Sequence, residues 1–183
     1  MRQLKIDFSE LEFAFESSRD LFSFHLDSET GEIISVSEED QYYLHKITSL
    51  YSDEQTGAID WERAFQEENI ADWQQEEMHK AAQVEADTTG RFIAIPTESS
   101  QDGYADMKEF ITAMNNPHLQ ERLSGAISGS GAFRDFRNVL LQNPAERQRW
   151  FQFKRVRLHQ YMLDWLKAQE IEPIYKDEEE QGI

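Results

Sequence analysis

The chain has no cysteine. Disulfides, thiol nucleophiles and thiolate metal sites are therefore excluded, and a reducing compartment suits it. No stretch approaches the ~20 apolar residues of a membrane-spanning helix. The opening Met1-Arg2-Gln3-Leu4-Lys5-Ile6-Asp7 lacks the apolar run of a signal peptide. A soluble, cytoplasmic protein without membrane association is expected. Basic residues are scarce: 18 Lys and Arg stand against 36 Asp and Glu, for a net charge of −18. That balance opposes non-specific contact with nucleic acid or anionic lipid. Histidine is sparse too. His25, His45, His79, His118 and His159 form no i,i+4 pair and no His-Glu-x-x-His pattern, so neither a metal nor a cofactor is expected.

What is present is a chain of 183 residues with 12% aromatics, including twelve Phe and four Trp. That is enough to bury one sizeable core. One α+β domain is expected over residues 1–175, followed by an acidic tail at 176–183. Its architecture reads as a small antiparallel sheet of three or four strands packed against a helix-rich C-terminal half. Leu4–Ile6 and Glu172–Tyr175 read as short strands. Ser9 and Glu12 have capping-box spacing for a helix to about Ser17. Leu21–Asp27 and Glu32–Val36 form a hairpin around Ser28-Glu29-Thr30-Gly31, its Ser23 and His25 face half solvated. Ser37 caps a helix to about Tyr51. Glu67–Ala86 reads as one thinly amphipathic, peripheral helix. Phe92–Ile95 is a strand stopped by Pro96.

Helices then dominate. Ser99 precedes one with Tyr104, Met107, Phe110, Ile111 and Met114 on one face. Asn116-Pro117 and Asn143-Pro144 are both cap-plus-proline starts. Phe133, Phe136 and Leu140 mark a short helix; Phe151, Leu158, Met162 and Trp165 stripe the longest, with Trp150, Phe153 and Tyr161 alongside.

The charge is distributed unevenly. From His118 to Ala168 nine Lys and Arg meet four acids, so that stretch carries +5 and the remainder −23. The two signs are expected to meet on folding, within the molecule or in a partner copy.

Several blocks together resemble uncharacterised protein family number 0158, a bacterial family. They are Phe92-Ile93-Ala94-Ile95-Pro96, Ser100-Gln101-Asp102-Gly103-Tyr104 with Met107 and Phe110, and Gly129-Ser130-Gly131-Ala132-Phe133-Arg134-Asp135-Phe136-Arg137. Trp150-Phe151-Gln152-Phe153, Trp165-Leu166, Glu170-Ile171-Glu172-Pro173 and the hairpin Thr30-Gly31-Glu32 belong to the same pattern. The resemblance spans most of Leu4–Ile174. It is weakest at about 41–84, which reads as a helical acidic insertion. It implies a family and assigns no catalytic residue.

Two sets of residues are candidates for a site. Gly129, Ser130 and Gly131 open a helix bearing Arg134 and Arg137, a place where a phosphate or carboxylate could meet free N–H groups and guanidinium forks. The plainer reading is a helix–helix turn. Tyr42, Tyr43, Trp61 and Trp73 lie in the acidic region, where they are hard to bury, and are candidates for an interface. The Arg147–Arg157 run interleaves with Trp150, Phe151 and Phe153, a pattern seen in single-strand binders. The acidity of the rest argues against that partner and for core aromatics. No catalytic pattern occurs: the serine pairs read as helix caps and no carboxylate pair stands out. The leading expectation is a non-enzymatic interaction or regulatory protein with a protein partner or a second copy. The alternatives are an enzyme or binding protein for an anionic small molecule at Gly129–Gly131 and, more weakly, an acidic mimic of nucleic acid.

Overall fold

The computed structural model describes residues 1–17, 22–97 and 99–175. Leu21 and the acidic 176–183 segment lie outside the described residues. The fold is α+β, with a small three-stranded antiparallel sheet and helices filling most of the C-terminal half. The chain divides into two compact units. Unit 1 comprises Met1–Thr97 with Glu170–Ile183, and unit 2 comprises Glu98–Gln169.

In unit 1 the elements are β1 (Arg2–Ile6), α1 (Phe8–Glu16), β2 (Phe22–Asp27), β3 (Ile33–Ser37), α2 (Glu38–Tyr51), α3 (Trp61–Glu67), α4 (Asp72–Glu85), β4 (Phe92–Ala94) and β5 (Ile171–Tyr175). β1 and β5 pair in parallel, Arg2 opposite Ile171 and Ile6 opposite Tyr175. The other sheet runs β3-β2-β4, antiparallel throughout. Its register puts Phe24 opposite Ser35 and His25 opposite both Ile34 and Ala94. Paired residues share a face, so Phe24 and Leu26 point one way and Ile34 and Val36 the other. Phe24 meets Phe13 of α1 edge-on at 5.8 Å.

On the opposite face Ser23 and His25 are partly exposed, as expected, while Ile34 and Val36 of β3 beside them are buried. Ile34 and Val36 enter a core with Leu44, Ile47 and Tyr51 of α2, Phe65 of α3, and Met78 and Ala81 of α4. Burial accordingly lowers the pKa of His25, because desolvation penalises imidazolium. The same core corrects the peripheral reading of the Glu67–Ala86 helix. The helix begins at Asp72 and not at Glu67, where α3 ends; between them Asn69 takes a left-handed φ of 54°. The break lets Phe65 and Ile70 both turn inward.

Local chemistry sets the boundaries. Ser37 and Asp40 form a capping box on α2. α1 starts earlier than Ser9: the Asp7 carboxylate accepts from the N–H groups of Ser9 and Glu10, at 2.9 and 3.2 Å. A side chain serving two amides outcompetes one serving a single amide. The hairpin closes through Gly31, with φ +82° and its N–H on the Asp27 carbonyl. A Cβ there would lie 2.3 Å from the Lys5 carbonyl oxygen, so only glycine fits against β1. The buried Asp27 carboxylate receives Arg91 bidentately, Nε to Oδ1 at 2.9 Å and Nη2 to Oδ2 at 2.6 Å.

Unit 2 consists of α5 (Ser100–Thr112), α6 (Pro117–Ala126), α7 (Ala132–Leu141) and α8 (Pro144–Ala168). Ser99 and Asp102 cap α5, and Asn116 with Pro117 starts α6. The core joins Met107, Phe110, Ile111, Leu119, Leu123, Ile127, Phe136 and Leu140, with Trp150 and Phe153 packed against it. Ten cations and eight acids give unit 2 a charge of +2, so unit 1 carries −20. Among the described residues no helix is long and apolar enough to cross a membrane.

Candidate functional site

The Gly129 turn is built by the break between α6 and α7. Gly131 adopts φ +85° at the N-cap of α7. A Cβ on it would come 3.0 Å from Arg134 Nη2, so the guanidinium folds back over the turn. There Arg134 Nε donates to Asp135 Oδ1 at 3.0 Å. A carboxylate of the protein itself thus already engages one nitrogen of the guanidinium that an incoming anion would need. Gly129 is open, and Arg137 lies exposed one turn further on. Of the five predicted anion-binding residues, Gly131 and Arg134 are brought together, with Asp135 bonded to the Arg134 guanidinium.

The same helix contributes to a different arrangement. Phe110, Phe136, Trp150 and Phe153 interlock, with Phe136–Trp150 centroids at 4.9 Å and Phe110–Trp150 at 5.1 Å. This cluster fixes the register of the α7–α8 hairpin. It turns Phe136 and Trp150 toward α5, and helical phase then leaves an exposed stripe along the flank of each helix. On α7 the stripe is Phe133, Arg137 and Leu141; on α8 it is Arg147, Phe151 and Arg155. Each runs i, i+4, i+8 and is about 12 Å long. Phe133, Leu141 and Phe151 are 45%, 52% and 56% exposed. This corrects the expectation that Phe133 and Phe151 belong to core stripes. The Arg147 guanidinium stacks on the Phe151 ring at 5.3 Å.

Charge separates the two sides of α8. Toward α5, Lys154 Nζ sits 2.8 Å from Asp106 Oδ2 and Arg157 Nε 3.2 Å from Oδ1. Arg157 Nη2 also reaches Glu109 Oε2 at 3.2 Å. These are the expected contacts between the basic run and acids outside it. On the stripe side, Arg137 and Arg155 make no hydrogen bond or ion pair among the described residues.

Unit 1 holds a polar cleft of about 660 Å³, lined in part by Lys5, Glu10, Gly31, Glu32, Glu77 and Lys80. Its charges largely satisfy one another. Lys80 Nζ lies 2.9 Å from Glu32 Oε1 and 3.0 Å from Glu76 Oε1. The Glu32 hydrogen bond, reinforced by Glu76, holds the ammonium pKa above its ordinary value. Sequence reasoning missed this cleft; the one available signal was a lone lysine among the acids of α4. No group of three or more His, Cys, Asp or Glu suited to a metal occurs among the described residues.

A family model, Uncharacterised protein family (UPF0158), matches residues 69–182. The chain belongs to this family. UPF0158 protein PA5073 of Pseudomonas aeruginosa is 28% identical over 83 residues, which is 45% of this chain and 54% of the relative. The chain thus spans about half the length of the curated relative it matches. No solved structure matches.

The UPF0158 span includes all of unit 2, together with α4, β4 and β5. The α7–α8 stripes and the Gly129 turn fall inside it. Lys5, Glu10 and the Thr30-Gly31-Glu32 turn fall outside it, although the turn figured in the resemblance. Residues 69–84, where the resemblance reads weakest, fall inside.

The four aromatic candidates do not form one patch. Trp61 packs on Phe65 and His79, at 5.4 and 4.6 Å, and belongs to the core layer. Tyr43 is half-buried against the same core. Tyr42 is 65% and Trp73 73% exposed. The Tyr51 hydroxyl donates toward Glu67 and Glu68, placing the end of α2 beside the segment leading into α4. Tyr42, near the start of α2, therefore lies at the opposite end of that pair from Trp73.

Proposed function

We propose that this UPF0158 member is a non-catalytic interaction protein of the bacterial cytoplasm, and that it meets its partner through the α7–α8 face. The observation that carries this reading is the exposure of Arg137 and Arg155, without countercharges, beside three half-exposed apolar side chains. Solvated cations are ordinary on a surface, and so are single exposed apolar residues. Two exposed stripes combining both, in a chain of charge −18, supply what a contact surface needs: apolar area to bury and charge to steer. The absence of cysteine suits the cytoplasm. The alternative, anion binding at the Gly129 turn, is weakened by the Asp135 carboxylate on Arg134.

The test is quantitative co-purification with the tagged full-length chain. A partner should be recovered by the wild type and by Trp73→Ala with Tyr42→Ala, and lost from Phe151→Ser with Arg155→Glu. Full retention by the stripe variant, or no partner above background, refutes the reading.

A further inference from the structure

The α7–α8 face selects the chemistry of its occupant. Resting on the reading above, we propose that the partner presents an acidic polypeptide segment carrying apolar side chains. The stripes bring three guanidinium groups, Arg137, Arg147 and Arg155, and no carboxylate. The nearest acids along the two helices are already engaged, Asp135 by Arg134 and Glu146 by Arg149, whose Nη1 lies 2.9 Å from Oε2. Carboxylates are the complementary ligands for planar guanidinium forks. Phe133 and Leu141 flank Arg137, Phe151 lies between Arg147 and Arg155, and all three add area that only apolar groups can use.

The competing polyanion is single-stranded nucleic acid, which binds by stacking bases on exposed rings. Here Arg147 already stacks on Phe151, so a base would have to displace it. That stack leaves the guanidinium edge free to donate to a carboxylate. Leu141 offers no π-face at all. Nucleic acid also carries a charge on every phosphate, so it meets stronger repulsion from a chain of −18 than a peptide whose carboxylates are spaced by apolar residues. A stripe of about 12 Å matches two turns of helix or about four residues of extended chain.

The experiment uses the full chain and a fluorescein-labelled synthetic peptide alternating Glu with Leu and Phe, read by anisotropy at low salt. A poly-Glu peptide and an oligouridine of equal charge serve as comparisons. The alternating peptide is expected to bind most tightly. Arg137→Glu with Arg155→Glu should weaken it by about tenfold or more, and Phe151→Ser should also weaken it. Lys108→Glu with Lys167→Glu makes the same charge change elsewhere in unit 2 and should have much less effect. Melting curves check that each variant remains folded. Tighter binding of oligouridine, equal loss in the control double variant, or self-association of the chain abolished by the stripe variants would overturn the proposal. If the co-purified partner depends on the stripes while the peptide does not bind, this inference fails alone. If the partner ignores the stripes, the reading beneath it fails.

Discussion

Asp27 at the end of β2 is the carboxylate whose ionisation should count most for stability. It is 2% exposed and receives both donors of the Arg91 fork, so replacing it with Asn removes a charge and keeps the shape. Burial alone would raise its pKa. The hydrogen bonds from Arg91, the Glu29 N–H and the Thr30 hydroxyl overcome that and bring it down to about 2 from 3.8. At about 1.4 kcal/mol per unit this corresponds to roughly 2 kcal/mol. The Arg91 side chain is 34% exposed, so solvent screening reduces the expected value to about 1–2 kcal/mol. A depressed carboxylate pKa stabilises the fold above pH 3.8, and that contribution is lost as the pH falls through about 2. Asp27→Asn should therefore be the less stable protein at neutral pH, and its deficit should shrink steadily between about pH 4 and pH 2. Urea unfolding followed by circular dichroism, with both proteins compared at each pH, cancels the titration of the other acids. A deficit that persists unchanged at pH 2, or none at pH 7, would refute the reasoning.

Gly31→Ala should destabilise by about 3 kcal/mol, combining left-handed strain with a clash against the Lys5 carbonyl. Gly57→Ala, at φ +71° with open space around it, should cost about 1 kcal/mol; equal costs in thermal melts would contradict the close approach at Gly31. Ser99→Ala removes the cap of α5 and should lower stability by about 1 kcal/mol in the same assay, whereas no change would show the capping box to be idle. Raising sodium chloride from about 20 to about 300 mM should raise the melting temperature, because screening relieves the self-repulsion of unit 1. A fall would show that pairs such as Lys80–Glu32 outweigh that repulsion.

Features that depend on a few adjacent residues were legible in the sequence. The Ser37 and Ser99 caps, the Asn116-Pro117 start and the Gly31 turn each follow from one side chain meeting backbone groups within three or four positions. The α1 start was misplaced because Asp7 and Ser9 both offer a capping oxygen, and spacing does not rank them. Features that depend on distant partners were less accessible. The short strands Leu4–Ile6 and Glu172–Tyr175 were read, but their parallel pairing joins the two ends of the described chain. The Glu67–Ala86 helix looked peripheral because its stripe is thin; β3, with Ile34 and Val36, supplies the core that it joins. Of the candidate site, Arg137, Phe133 and Phe151 were visible as residues. Their exposure was not, since Phe136 and Leu140 fill the α7 core alone.

The basic stretch shows why composition could locate a surface without describing it. Its excess of cations suggested pairing with acids elsewhere, and on one side of α8 that pairing exists: Asp106 takes both Lys154 and Arg157. One buried carboxylate facing two cations uses up what α5 has to offer there, apart from Glu109. The helix continues its turn, and Arg155, about 100° around it from Lys154, makes no ion pair among the described residues. Periodicity therefore divides one basic run into cations neutralised by α5, which support the core, and cations left unpaired beside the exposed Phe151. The stability of unit 2 rests on the first, and reversing charge on the second should leave its melting temperature nearly unchanged while altering what it binds. Loss of folding from Arg137→Glu with Arg155→Glu would place those cations in the architecture after all and remove them from recognition.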